Sequence, residues 1–264
     1  MGIYDQTYRR FEGKLQGRLV RITTILKNEF MRRIRNKWVL ILLILAWSIG
    51  IFPIFTGGAF MAYFVLTFIW LLLFTAVVGG PILSEDFQFK SITLYLSRPL
   101  HKVDYFLGKY LTLFVLVSLI GFLPTIFVSA FIIGILYGTS VREFDYYTFS
   151  YSLMVVGLLM TFVFTNIGMA FSAMTKNHKY ASGGIFAFLF FSNILSLALS
   201  NLYEDIIYCS IWANFMILFA DWSSAGNNTL VDFDSNVSLA ILMIISIICL
   251  TIVWIKLQRV ELSE

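Results

Sequence analysis

Six long apolar runs constrain this chain of 264 residues more than any other feature. They occupy residues 38–55, 60–83, 110–137, 149–174, 181–200 and 237–255. As helices rising about 1.5 Å per residue, all six are long enough to cross about 30 Å of hydrocarbon, the first and last only just. Because lipid leaves an open strand with unpaired backbone groups, each run is expected to be a transmembrane helix.

The composition agrees with this interpretation. The chain is 59% hydrophobic and only 13% charged, whereas soluble domains carry about 25% charged residues. A soluble protein of this composition could not bury its apolar surface. The sequence therefore predicts an all-α integral membrane protein with a basic cytoplasmic region at 1–37, a six-helix transmembrane domain at 38–256 and a short tail at 257–264.

The distribution of basic residues predicts the orientation. Ten Lys and Arg residues precede the first run, four lie between the second and third, two lie between the fourth and fifth, and two follow the sixth. Only Arg142 lies on the other side of the membrane in this arrangement. By the positive-inside rule both termini are cytoplasmic, in a multi-pass protein of the plasma membrane. The net charge of +4 is thus explained by topology, and no nucleic-acid partner is expected.

One further apolar stretch, 206–220, lies between Asp205 and Asp221. At about 22 Å of helix it is too short to cross the bilayer. A crossing would also place the basic tail outside. The stretch is therefore predicted to be a re-entrant or interfacial excursion on the outer side, where backbone at membrane depth must be covered by protein.

Residues 19–37 form a candidate interfacial helix. Apolar residues recur every three or four positions and define one helical face, and basic residues such as Arg32 and Arg33 surround it. The face comprises Leu19, Ile22, Leu26, Phe30 and Ile34. Such a helix is expected to lie on the inner leaflet before the first transmembrane helix. The alternative is a positive flank that only sets the topology.

Residues 84–99 form a candidate docking helix between the second and third runs. Ser84 is a favourable N-cap, and Pro99 is expected to end the helix. The apolar and aromatic side chains in this segment suggest a surface that docks on a cytoplasmic partner. The candidate docking residues are Glu85, Asp86, Phe87, Phe89, Lys90, Tyr95 and Arg98. The alternative is a helix that packs on the cytoplasmic ends of the protein itself.

The segment ILSEDFQFKSITLYLSRPLHKVDYFLGKYL resembles the cytoplasmic segment of ABC-2 type permeases. These have an acidic pair, a Leu-Ser-x-Pro sequence, a basic pair and an aromatic–Leu–Gly–Lys lead into the third span. The matching positions here are 85–86, 96–99, 101–102 and 106–109. The layout of the whole chain is also similar, above all to the small single-domain permeases of that family, including the one from nitrous-oxide-reductase maturation.

The resemblance implies a transport subunit rather than an enzyme. Such a chain would dimerise with a second copy or a homologous permease into a twelve-span pore, and export would be the usual direction. Separate cytoplasmic ATPase subunits would dock on the 84–99 helix and carry the ATP and Mg²⁺. No G-x-x-x-x-G-K-[ST] sequence occurs in the chain, so ATP is expected on the partner, with no cofactor or metal on this chain.

Two other functions remain as alternatives. A secondary carrier or channel usually needs ionisable residues within its spans, and the interiors of the six runs contain none. A non-transporting membrane anchor of a cytoplasmic complex would have the same docking helix. Asn166 and Asn193 are the candidate pathway-lining residues, although asparagine at this depth also hydrogen-bonds between helices.

Overall fold

The computed structural model describes residues 17–55, 60–89, 102–136, 146–199, 204–223 and 233–259, and every secondary-structure element in these ranges is helical. This confirms the all-α prediction. The helices are α1 (Arg18–Ile34), α2 (Lys37–Phe55), α3 (Phe60–Gly79), α4 (Pro81–Gln88), α5 (Lys102–Gly121), α6 (Leu123–Phe131), α7 (Tyr146–Met174), α8 (His178–Leu199), α9 (Ile211–Trp222) and α10 (Ser235–Arg259). A π-helical turn at Ile132–Leu136 continues α6, and a 3₁₀ helix at Glu204–Cys209 precedes α9.

Four helical segments within the described ranges are long and apolar enough to cross a membrane, which is compatible with a membrane-embedded protein. They are Val65–Gln88, Lys102–Gly134, Tyr147–Met174 and Ser235–Gln258. These segments correspond to the second, third, fourth and sixth apolar runs. Helices α2 and α8 coincide with the first and fifth runs, and their crossing of the membrane stays a prediction.

Helix α7 is the central helix, because it packs against α3, α5, α6, α8, α9 and α10. Small residues allow two of these contacts to be close. A Cβ atom added to Gly79 would lie 3.2 Å from the Cα of Gly168, and one added to Gly157 would lie 2.7 Å from the side chain of Thr125. Small residues at helix crossings bring backbones together, as is common between membrane helices.

The third apolar run is interrupted where its sequence contains Gly121 and Pro124, as expected for proline inside a helix. Helix α5 ends at Gly121, and α6 begins two residues later with Pro124 in its first turn. A Cβ atom on Gly121 would lie 2.7 Å from Leu71 and 2.5 Å from the hydroxyl of Thr161. The break therefore lies in the packed interior of the bundle.

The apolar stretch 206–220 forms most of the 3₁₀ helix and most of α9. The hydroxyl of Ser210 caps α9 by accepting from the backbone N–H of Ala213 at 3.1 Å. With 12 residues, α9 is about 18 Å long, and its side chains from Ala213 to Ala220 are buried against α7, α8 and α10. Protein thus covers this helix, which is what the predicted excursion requires of backbone at membrane depth. Its location on the outer side stays a prediction.

Candidate functional site

Helices α1, α4 and the first half of α5 meet at one end of the bundle, which we term the α1 end. Helix α1 packs along α5, and Gly108 makes this contact close. A Cβ atom on Gly108 would lie 2.7 Å from Cγ2 of Ile25. The close approach of the two backbones brings charged side chains of α1 within bonding distance of α4 and α5. We term Glu29, Arg33, Glu85, Asp86, Tyr105 and Lys109 the ionic cluster.

Lys109 is the centre of the ionic cluster. Lys109 is only 1% exposed. Its ammonium lies 2.5 Å from Oε1 of Glu29 and 2.9 Å from Oδ2 of Asp86. The hydroxyl of Tyr105 donates to the same Asp86 oxygen at 2.5 Å. Buried charges must be paired to be tolerated. A single ammonium on α5 therefore links α1 and α4.

Arg33 makes the second connection between α1 and α4. Its guanidinium donates to Oε2 of Glu85 at 2.9 Å and to the backbone carbonyl of Pro81 at 3.1 Å. Arg32 reaches the same carboxylate at 2.9 Å but is more exposed. Charge-assisted hydrogen bonds of this kind are about twice as strong as neutral ones. The end of α1 is thereby bonded to both the first residue and the middle of α4.

A separate ion pair holds the beginning of α1. Asp104 on α5 is fully buried and lies 2.5 Å from Nε of Arg18 and 3.2 Å from a terminal nitrogen of Arg21. Ion pairs thus attach α1 to the bundle at both of its ends. The helix cannot be displaced from α5 without exposing or separating buried charges.

The position of α4 is set by hydrogen bonds to the end of α7. The hydroxyl of Ser172 accepts from the backbone N–H groups of Leu83 and Ser84, at 2.8 Å and 3.0 Å, and donates to the carbonyl of Gly80 at 2.7 Å. A Cβ atom on Gly80 would lie 2.1 Å from the hydroxyl of Ser182 on α8. The corner between α3 and α4 is consequently held against α7 and α8.

The predicted start of the docking helix at Ser84 is wrong. Helix α4 begins three residues earlier at Pro81, because proline is favourable in the first turn of a helix. The buried hydroxyl of Ser84 donates to the carbonyl of Gly80 at 2.6 Å instead of capping the helix. The predicted end at Pro99 lies outside the described residues.

The candidate docking residues occupy different environments. Glu85 and Asp86 bond to α1 and α5, as given above, and Asp86 is buried. Phe87 is half-buried against the apolar core, whereas Phe89 is 71% exposed. Lys90, Tyr95 and Arg98 lie outside the described residues. Among the described candidates, Phe89 is therefore the aromatic residue available to a partner.

Helix α1 differs from the candidate interfacial helix in the face that it buries. It ends at Ile34 rather than residue 37, and Leu19 is 78% exposed. Ile22 is buried and Leu26, Phe30 and Ile34 are half-buried. The apolar pattern did not reveal that Glu29 and Arg33 are buried beside them. The available signal was that Glu29 is the single acidic residue of this basic helix.

The two candidate pathway residues lie on α7 and α8 and are not members of the ionic cluster. The carbonyl of Asn193 accepts from the hydroxyl of Ser210 at 2.5 Å and from the backbone N–H of Trp212 at 3.3 Å, so it connects α8 to the start of α9. Asn166 is fully buried in α7, and its amide has no hydrogen-bond partner among the described residues. Asn193 thus makes an interhelical contact and also lines a cavity of about 260 Å³ between α3, α8 and α9. Its role in a pathway stays a prediction.

The ion pairs of the ionic cluster connect the position of α4 to the positions of α1 and α5. Its carboxylates pair with cations from other helices, so a displacement of α4 acts directly on α1 and α5.

No protein-family model matches the sequence, and no curated protein matches it significantly. A function for the chain therefore has to be inferred from its sequence and from this geometry.

Proposed function

We propose that this chain is the membrane-spanning permease subunit of an ATP-driven ABC-2 type transporter that works as an exporter. The observation that supports the proposal best is the position of α4. This short helix directly follows α3, is bonded to α1 and α5 through the ionic cluster, and ends beside the exposed Phe89. A force applied to α4 would therefore act on the helices that lead into the first and third spans.

The proposed mechanism assigns ATP and Mg²⁺ to a separate cytoplasmic ATPase that docks around Phe89 and the segment after it. Closure of two ATPase subunits would displace α4. The Glu85–Arg33 and Asp86–Lys109 pairs, both at 2.9 Å, would carry the displacement to α1 and α5. Two permease copies would change access to a pathway between them. The chemistry of hydrolysis would belong entirely to the partner.

The exposed side of α1 is compatible with the inner surface of a membrane. Lys27 and, directly after the helix, Arg35 are exposed, as are the apolar side chains of Leu19 and Met31. Glu29, the only carboxylate of the helix, is buried. A surface that combines cations and apolar groups without an exposed acid favours contact with anionic headgroups.

The direct test is purification of the tagged chain from its native membranes in a mild detergent. We expect an ATPase with a G-x-x-x-x-G-K-[ST] sequence to co-purify in a fixed ratio, and its ATP hydrolysis to rise when the complex is returned to lipid. An ATPase that binds but is not stimulated would favour the membrane anchor. A chain that purifies without any ATPase would contradict the proposal.

A proton-coupled carrier is a second candidate, and one structural observation favours it. Helix α5 begins at Lys102 rather than near residue 110, so Asp104 and Lys109 are buried residues of the candidate span Lys102–Gly134. Buried ionisable groups in a membrane segment are typical of proton pathways. In proteoliposomes without ATP, this candidate predicts that the chain accelerates the decay of an imposed pH gradient.

The orientation can be tested by cysteine labelling in a Cys209→Ser background, because the native Cys209 is exposed. Arg142→Cys should react with an impermeant maleimide in intact cells. His178→Cys and Val260→Cys should react only after the membrane is permeabilised, since both positions are predicted to be cytoplasmic. Labelling of Val260→Cys in intact cells would contradict the six-span topology.

A further inference from the structure

The joint between α3 and α4 is bonded to another helix rather than only to its own chain. Helix α3 ends at Gly79 and α4 begins at Pro81. Because proline has no backbone N–H, Pro81 cannot donate to the preceding turn. The N–H groups of Leu83 and Ser84 donate to the hydroxyl of Ser172 on α7, at 2.8 Å and 3.0 Å. A side chain of α7 thus bonds the first turn of α4.

The hydroxyl of Ser172 uses its full bonding capacity at this joint. A hydroxyl can donate one hydrogen bond and accept two. Besides the two bonds that it accepts, Ser172 donates to the carbonyl of Gly80 at 2.7 Å. Ser172 is fully buried, and a buried polar group that loses its partner destabilises the fold. The hydroxyl therefore fixes the first turn of α4 to the central helix of the bundle.

The opposite end of α4 is held more weakly. Gln88 and Phe89 are exposed. The side-chain oxygen of Gln88 lies 3.4 Å from a ring nitrogen of His178 on α8, which is longer than an ordinary hydrogen bond. Helix α4 consequently has one fixed end and one end that a partner can displace.

The ion pairs of α4 lie between its two ends. Glu85 and Asp86 pair with Arg33 of α1 and Lys109 of α5. At about 1.5 Å per residue, the two carboxylates follow Gly80 by about 8 Å along the helix, whereas residue 89 follows it by about 13 Å. A rotation of α4 about its first turn therefore moves both carboxylates in the same sense as residue 89, over a shorter distance.

We propose that Ser172 is a positioning residue that holds the pivot about which α4 turns when a partner displaces Phe89. The inference rests on the proposed function. Because the first turn is fixed, a displacement of Phe89 becomes a rotation that moves Glu85 and Asp86 against α1 and α5. Without the bonds of Ser172, part of the displacement would be lost as movement of the joint itself.

The test is Ser172→Ala in the complex of this chain with the proposed ATPase, returned to lipid. The ratio of ATPase to this chain should stay unchanged, because Phe89 is untouched. The stimulation of ATP hydrolysis should fall about threefold or more, as for other changes that alter the coupling between two sites. Alanine favours a helix, so α7 itself is expected to form normally.

Ser84→Ala is the matched control. The hydroxyl of Ser84 is also fully buried and donates to the same carbonyl of Gly80, at 2.6 Å, but it bonds α4 only to its own chain. This variant should keep the stimulation. Full stimulation in Ser172→Ala, or an equal loss in both variants, would overturn the inference and leave the proposed function intact. If the unmodified chain purified without an ATPase, the proposed function would fail first.

A second measurement needs neither a variant nor the ATPase. Hydrogen exchange of the unmodified chain in lipid is measured at single amides of α4. First-turn amides have no acceptor within their own helix and ordinarily exchange fast. The amide of Leu83 should instead exchange at least about tenfold more slowly than that of Phe89, although Phe89 is also bonded, to the carbonyl of Glu85 at 2.9 Å. Equal or faster exchange at Leu83 would show that α4 has no fixed end and would overturn the inference.

Discussion

Replacement of Lys109 by Met is expected to lower the thermal unfolding temperature of the purified protein by on the order of 10 °C. Lys109 is 1% exposed and is the cation that lies closest to both Glu29 and Asp86. Removing one partner of a buried ion pair costs about 3–5 kcal/mol, because the other charge stays buried without compensation. In a chain of this size, each kcal/mol shifts the unfolding temperature by about 2–4 °C.

The matched control is Lys179→Met, which removes an exposed lysine and should shift the unfolding temperature by no more than about 1–2 °C. Adding Glu29→Gln to Lys109→Met should recover part of the loss, since Asp86 would still accept from Tyr105. The unfolding temperatures of all three variants can be measured in detergent by intrinsic fluorescence. An unfolding temperature of Lys109→Met equal to that of the Lys179→Met control would show that the ionic cluster does not stabilise the fold.

The features of the fold that depend on local sequence could be predicted. Long apolar runs indicate helices wherever they occur, because lipid excludes other backbone structures. The break at Gly121 and Pro124 follows from the missing N–H and the fixed ring of proline. The shortness of α9 likewise follows from counting the residues between Asp205 and Asp221.

The ionic cluster depends on tertiary contacts and could not be predicted in the same way. Glu29 and Lys109 are 80 positions apart in the chain, and periodicity reports which residues share a helix face without showing what covers that face. The stripe that begins at Leu19 therefore predicts a membrane surface, although α5 covers much of it in the structure. The preference of Ser84 for a cap was likewise overridden by Pro81 and by the packing of Gly80.

The beginning of α5 illustrates a related limit of hydropathy. Charged residues lower the apolar character of the segment before residue 110, so the predicted span excluded them. In the structure the helix begins at Lys102, and Asp104 and Lys109 lie within it, each paired with a side chain of α1. Hydropathy marks where a segment stops being apolar, but it shows neither where the helix begins nor which partner another helix supplies for a buried charge.

Phe89→Ala is expected to weaken binding of the proposed ATPase at least tenfold without changing the unfolding temperature. Phe89 is 71% exposed at the end of α4, and exposed aromatic anchors of this kind contribute about 2 kcal/mol or more at protein interfaces. Each 1.4 kcal/mol corresponds to about a factor of ten in affinity. Phe87→Ala should behave differently, because Phe87 packs against the core and its loss should lower the unfolding temperature.

To compare Phe89→Ala with Phe87→Ala, ATPase binding and the unfolding temperature have to be measured on the same preparation of each variant. Tyr151→Ala is the matched control, since this aromatic residue is 70% exposed but lies at the start of α7, at the opposite end of the bundle from α4. It should leave ATPase binding unchanged. The ratio of the proposed ATPase to this chain after affinity purification reports association, and the unfolding temperature reports the fold. If Phe89→Ala retained the ratio of the unmodified protein, the end of α4 could not be the docking site, and the force would have to enter the bundle elsewhere.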